Sequence, residues 1–532
     1  MLLVLGGTVS VQRAQAAEVA VPKTALELAT EIRAGRLSAE AVVQTLLSRI
    51  EQIDRSGPTL QSIITINPQA LADARAIDAA RASQPDQSRW LQGVPVLVKD
   101  NIETREMPTT AGSLALLAND TGRDAPIIAR LRDAGAVVLG KTNMSEWANY
   151  RSQNGVAGWS GVGGLTRNPF DLSRSTCGSS SGSAAAVAAG LASAALGTET
   201  NGSIACPAAV MGLVGFKPTV GLLSRTHIVP LSPRQDGPGV ITHTVEDAAL
   251  LATVMAGTDP ADTATVEADA RREDYVTALE KGIQSMRIGV FRWAEGDSPA
   301  VSKAFNAALK ELEAAGATLV EIQTFSPQPV LWQSGDAVLQ AEFKAGLNAY
   351  LASAAPAVRS RSIAELIAFN KQHADRELAL FDQDTLIAAQ NAPSVESEAH
   401  RQIVAELVAG AREHGVDALL MEHDVRLLVM PSAKPAWPAD LAQTSEPSGG
   451  LLGATWLPGM AGYPTLTVPM GDHLGLPLGI MFVGTAWDDA ALLRAGAAYQ
   501  RRAGHSYDPT FSTGDFERLK RASPLKPFRR SP

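Results

Sequence analysis

Apolar positions along the chain alternate between helical and strand spacing. Between residues 24 and 54 they recur at helical spacing with a break at Gly35, which predicts two short amphipathic helices. Ser38 is placed to cap the second, whose apolar face carries Leu46, Leu47 and Ile50. Strand-length apolar runs follow at 94–98 and 136–139, with the helical stretch 125–134 between them, and this order predicts a parallel strand pair. Across 152–221 Gly, Ser and Thr dominate, interrupted by the small apolar run 184–196, which predicts one tightly packed buried helix. Residues 270–432 are richer in charge and helical periodicity, with a strand at 287–291 and a helix at 302–315, and are expected to cover or extend the core as a cap. Strand-like runs at 427–430, 465–470 and 479–483 complete the sheet. The class is α/β, with no internal repeat.

Composition narrows the class without naming a chemistry. The 532 residues are 45% hydrophobic and 19% charged, the balance of a folded globular protein. A net charge of −9, spread along the chain, leaves no basic footprint for nucleic acid. Two cysteines cannot build a Cys-rich zinc site, and the eight histidines show no metal-ligand spacing, so no metal or other cofactor is expected. Residues 2–11 are apolar and uncharged and precede Ala14-Gln15-Ala16, an Ala-x-Ala cleavage pattern. A signal peptide over 1–16 and export to the periplasm or beyond are therefore expected, with a cytoplasmic location as the alternative. The run falls short of the ~20 residues a membrane helix needs, and no membrane span is expected elsewhere. A monomer or homodimer is the expected state.

Three segments could carry chemistry. Lys99 ends the apolar run of Gly93-Val94-Pro95-Val96-Leu97-Val98-Lys99-Asp100. The plain reading pairs it with Asp100; the chemical reading is a desolvated amine with its pKa lowered enough to act as a neutral base. Gly178-Ser179-Ser180-Ser181-Gly182-Ser183 runs directly into an apolar segment, unlike a linker, and lacks the lysine of a phosphate loop. Gly197-Thr198-Glu199-Thr200-Asn201-Gly202-Ser203 is a turn whose amides could face a developing oxyanion, or simply a Gly-Ser turn. A Ser/His/Asp arrangement using His227 or His243 is disfavoured because no serine sits in a G-x-S-x-G elbow.

These segments, with Gly140-Lys141-Thr142-Asn143-Met144-Ser145-Glu146-Trp147, Thr166-Arg167-Asn168-Pro169-Phe170-Asp171 and Gly215-Phe216-Lys217-Pro218-Thr219-Val220-Gly221, resemble the amidase signature family. The resemblance runs from about 24 to 484 and is most specific over 93–221, where Ser203 follows Ser179 by 24 residues. It implies one domain over 24–532, built on a mixed, largely parallel sheet surrounded by helices, with a cap-like region at approximately 270–432. It also implies Ser203 as nucleophile, Ser179 as a bridging serine after a cis peptide bond, and Lys99 as base. A serine hydroxyl is a weak nucleophile until its proton is taken, and a neutral lysine can do this through an intervening hydroxyl. The amides of Thr200, Asn201, Gly202 and Ser203 match the family's oxyanion hole, with Asn201 where many relatives have glycine.

The implied reaction is amide hydrolysis through an acyl-enzyme, releasing ammonia or an amine. Ala205 and Cys206 stand where many carboxylate-binding relatives carry arginine, which argues against an amidotransferase subunit. Ser145-Glu146-Trp147-Ala148-Asn149 and Gly462-Tyr463-Pro464-Thr465 are most similar to bacterial peptide amidases. The expected substrate is thus a peptide amide, deamidated at its C-terminus. Other aryl, fatty or small amides and esters, an amidotransferase-like subunit, and a non-catalytic amide-binding member are the alternatives. If the two serines touch, Cys177 and Cys206 lie close together. Two small buried thiols are the expectation and a disulfide the alternative.

Overall fold

Every apolar run read as a strand is one. The computed structural model describes residues 19–83, 90–439 and 454–513, so the leader expected over 1–16 lies outside the described residues. In chain order the strands are β1 (Ile63–Ile66), β2 (Pro95–Lys99), β3 (Val137–Thr142), β4 (Trp159–Ser160), β5 (Gly164–Leu165), β6 (Ala194–Glu199), β7 (Val214–Lys217), β8 (Gly237–Thr242), β9 (Arg287–Phe291), β10 (Thr318–Ile322), β11 (Leu427–Pro431), β12 (Thr465–His473) and β13 (Leu476–Val483). β4 and β5 form a small hairpin, and the other eleven make one sheet in the order β1-β3-β2-β6-β8-β7-β12-β13-β11-β9-β10. The sheet is mixed. Its trios β3-β2-β6 and β11-β9-β10 are parallel, as the expected strand-helix-strand start through the helix Pro126–Asp133 requires, and the pairs between the trios are antiparallel.

The first two helices form at Ala25–Arg33 and Ala39–Arg49. Gly35 separates them in a left-handed conformation (φ 72°), and Ser38 Oγ accepts the Ala41 amide at 3.0 Å. The run 184–196 is not one helix. It splits into the helix Ser181–Ala188 and strand β6, with Gly190 at φ 68° between them. Small apolar residues serve a buried helix and a central strand equally well, so the pattern cannot tell the two apart.

Residues 270–432 divide as well. β9 and β10 extend the sheet, whereas from Val330 to Glu422 the elements are helical. The helix Gly335–Ala352 buries Leu339, Phe343 and Leu347 against Trp147, Val229 and Leu231. Each fully buried side chain of this size contributes about 1.5–3 kcal/mol. A buried ion network fixes the same region: Arg151 Nη1 donates to Glu146 Oε1 at 2.8 Å and Glu377 Oε2 at 3.3 Å, and its guanidinium lies 3.9 Å from the Phe381 ring centroid. Among the described residues no helix is long and apolar enough to cross a membrane.

Candidate active site

β2 is a central strand between β3 and β6, and its last residue, Lys99, is 0% exposed. Its Nζ stands 2.8 Å from Ser179 Oγ, 2.9 Å from Thr198 Oγ1 and 3.1 Å from the Thr198 carbonyl oxygen. Asn101 Nδ2 donates to the same Thr198 Oγ1 at 2.9 Å. Burial pushes the Lys99 ammonium down to about 7, against the opposing pull of the Glu199 and Asp236 carboxylates. The plain pairing of Lys99 with Asp100 does not occur. Asp100 bonds the Thr110 hydroxyl and lies 3.4 Å from Lys141.

The serine-rich loop divides its hydroxyls between structure and site. Ser180 Oγ donates to the Thr198 carbonyl, Ser181 Oγ to the Cys177 carbonyl and Ser183 Oγ to the Leu196 carbonyl, at 3.1, 2.6 and 2.8 Å. Ser179, preceded by a cis peptide bond, is the one whose hydroxyl meets Lys99. Gly182 is required by packing, since a Cβ there would come within 2.4 Å of the Asn143 and Ser62 carbonyl oxygens.

Ser203 is half-buried in the turn between β6 and the helix Ala205–Val210. The Ser180 amide donates to the Ser203 carbonyl at 3.1 Å and joins the two serine-bearing loops. A disulfide also joins them. Cys177 and Cys206, expected as free thiols, are bonded, with Cα atoms 6.0 Å apart. The loop contact brings the cysteine backbones inside the bonding range, which burial statistics for free cysteine could not anticipate.

Glu199 sets the turn. Its Oε2 accepts the Ile204 and Ala205 amides at 2.7 and 2.8 Å, capping the helix that follows the nucleophile turn. The amides of Thr200, Asn201, Gly202 and Ser203 have no backbone acceptor among the described residues. Asn201 Oδ1 is buried without a hydrogen-bond partner, and it faces Gly459, where a Cβ would lie 2.1 Å from it and 2.6 Å from the Thr200 carbonyl oxygen.

Ser203 opens on a cleft of about 320 Å³ lined by Ala148, Tyr150, Gly178, Thr200, Asn201 and Leu339 among others. A second cavity of about 580 Å³ shares Ala148, Thr200 and Leu231 with it and continues past Asn101, Ile228, Pro230, Arg234 and His400. The helix Gly335–Ala352 lines both, through Leu339 and Glu342 respectively. Trp147, Ala148 and Asn149 all take left-handed backbone conformations (φ 51°, 55° and 70°), an uncommon run held by the Trp147 amide on the Ala111 carbonyl. Neither His227 nor His243 lines the cleft of Ser203. Each makes a loop contact, their carbonyls accepting from the Glu103 amide and Gln500 Nε2. Among the described residues no group of three or more His, Cys, Asp or Glu could hold a metal ion.

A model of the amidase family matches residues 41–493. The chain belongs to the amidase family. Its structure is similar to that of the peptide amidase of Stenotrophomonas maltophilia, with a TM-score of 0.86 and 42% identity over 92% of this chain and 99% of that one. An Arabidopsis thaliana protein named a probable amidase is 35% identical, over 88% of this chain and 87% of its own. A glutamyl-tRNA(Gln) amidotransferase subunit of Myxococcus xanthus is also 35% identical, over 90% and 96%. Membership makes this amidase an amide-hydrolysing enzyme and bears out the resemblance read from its motifs. The motifs assign roles to Lys99, Ser179 and Ser203 but none to Thr198, Asn101 or Glu199, which hold the base and the turn. Their only signal is position, two residues after the lysine and five and four before Ser203.

Proposed function

We propose that this amidase cleaves its substrate through a Ser203 acyl-enzyme, with Ser179 relaying the proton of Ser203 to Lys99. The carrying observation is the 2.8 Å contact between Lys99 Nζ and Ser179 Oγ at a fully buried site. A neutral Lys99 donates to the Thr198 carbonyl and hydroxyl oxygens and keeps its lone pair for the Ser179 proton. As Ser203 Oγ attacks the amide carbon, Ser179 takes its proton and passes its own to Lys99. The amides of Thr200, Asn201, Gly202 and Ser203 receive the oxyanion. Collapse returns the proton to the leaving nitrogen, ammonia departs, and water attacks the ester with Lys99 again as base.

The substrate class we propose is the peptide C-terminal amide. Similarity to the Stenotrophomonas maltophilia peptide amidase supports it, as does the second cavity beside the cleft, which offers room for a chain beyond the scissile bond. Ala205 and Cys206 provide no guanidinium for a free amino acid's carboxylate, which separates this reading from that of a glutamine-using subunit. Export fits the same picture, because residues 2–16 have the pattern of a leader and a disulfide persists in an oxidising compartment. An ammonia-release assay over peptide amides, fatty amides, anilides and free glutamine tests the reading. Preferred turnover of peptide amides is expected, and preferred turnover of free glutamine overturns it.

A further inference from the structure

Four charged residues stand side by side at one end of the sheet. β2, β6, β8 and β7 are consecutive, and β8 runs antiparallel to both neighbours. The final residues of β2, β6 and β7 are Lys99, Glu199 and Lys217, and Asp236 immediately precedes β8, in which Gly237 is opposite Glu199. The sequence across the strands is therefore Lys, Glu, Asp, Lys. Lys217 is 0% exposed, like Lys99.

The carboxylates in this row are fully engaged. Glu199 holds the Ile204 and Ala205 amides and the Thr465 hydroxyl; Asp236 holds the Thr200 hydroxyl and the Leu231 and Ser232 amides. Lys217 is not. Its Nζ donates to the Pro218 carbonyl oxygen at 3.2 Å, and among the described residues no carboxylate comes within 4.0 Å of it. A lysine buried for stability alone is expected to touch its counter-charge. Lys217 instead sits across from Thr465 in the β7–β12 register, and Thr465 bonds Glu199, so the ammonium is held near that carboxylate without contacting it.

We propose that Lys217 is a positioning residue for the base. Its ammonium offsets the Glu199 and Asp236 carboxylates, which would otherwise hold a proton on Lys99. The proposal rests on reading Lys99 as the base. Both lysines feel Glu199 and Asp236, but Lys217 also feels Asp489, whose carboxylate accepts the Thr219 amide and hydroxyl two residues away. Burial pushes the Lys217 ammonium down as it does that of Lys99, but three carboxylates oppose it at Lys217 against two at Lys99, so Lys217 is the better place for the proton and Lys99 is left neutral. The remaining neighbours bring little net charge: Lys141 on β3 is matched by Asp100 at 3.4 Å, and Arg225, beside Asp236, by Asp262 at 2.6 Å.

The test follows the rate at which a fluorophosphonate labels Ser203, read by mass from about pH 5 to about pH 10, which needs no knowledge of the natural substrate. Lys217→Met should move the acid limb of labelling upward by about one pH unit, while Lys217→Arg leaves it in place. Glu199→Gln, which keeps an acceptor for the turn but loses the charge, should move the limb downward by a similar amount. An unmoved limb in a folded Lys217→Met overturns the proposal. Should that variant not fold, Glu199→Gln decides, and an unmoved limb there overturns it equally. If wild-type Ser203 takes no label at any pH, the reading of the base fails and the proposal with it.

Discussion

Lys99 Nζ and Ser179 Oγ lie 2.8 Å apart at the end of a central strand, both fully buried, while Ser203 on the adjoining loop is open to a cleft. A buried amine beside a hydroxyl is suited to moving a proton and poorly suited to binding an ion. Removing the amine should therefore affect chemistry more than binding. Lys99→Ala is expected to lower kcat by about 10²–10⁴-fold with a smaller change in KM, and Ser203→Ala to abolish turnover. Steady-state kinetics on a peptide amide checks both.

The pH dependence has a definite sign. Burial brings Lys99 down to about 7, and the mechanism uses its neutral form. Activity should thus rise as pH increases through about 7 and hold on the alkaline side. A rate that peaks in acid and falls above neutrality would point to a carboxylate or histidine base instead.

Much of this arrangement is legible in the sequence, and the exceptions have physical causes. Strand runs such as 94–98 and 427–430 are recognisable because a strand buried on both faces is a short continuous apolar run. The run 184–196 is misleading because alanine and valine fit a packed helix and a central strand alike, and only the left-handed Gly190 divides them. Lys99, Ser179 and Ser203 stand out through their motifs. Thr198 and Asn101 do not, since they act through hydrogen bonds between segments far apart in the chain, and Glu199 does not, since its part is to cap the turn that follows it, which residue type alone leaves open. The Cys177–Cys206 bond depends on the same loop contact and is equally hidden from a residue count.

Asn201 in the nucleophile turn depends on a glycine packed against it, Gly459 of the helix Trp456–Ala461. A Cβ at position 459 would lie 2.1 Å from Asn201 Oδ1 and 2.6 Å from the Thr200 carbonyl oxygen, so the turn must move. Gly459→Ala should reduce kcat/KM by about 100-fold, the scale of a misplacement near one ångström, while circular dichroism remains that of the wild type. The double variant Gly459→Ala/Asn201→Gly should recover part of the loss, because it relieves the closer of the two contacts.

The disulfide can be checked chemically. Protein unfolded without reductant should show no free thiol, and two after reduction. Reduction should also lower stability to denaturant by about 3.6 kcal/mol, through the entropy of the released 29-residue loop. Two thiols before reduction would contradict the bond.

The acyl-enzyme can be trapped directly. A peptide ester or anilide is mixed with the enzyme, the reaction is quenched in acid within its first turnovers, and the modified residue is located by peptide mass mapping. The peptide's acyl mass is expected on Ser203 in the wild type and on no residue of Ser203→Ala. An acyl group on another residue, or turnover by Ser203→Ala at the wild-type rate, would contradict the Ser203 acyl-enzyme.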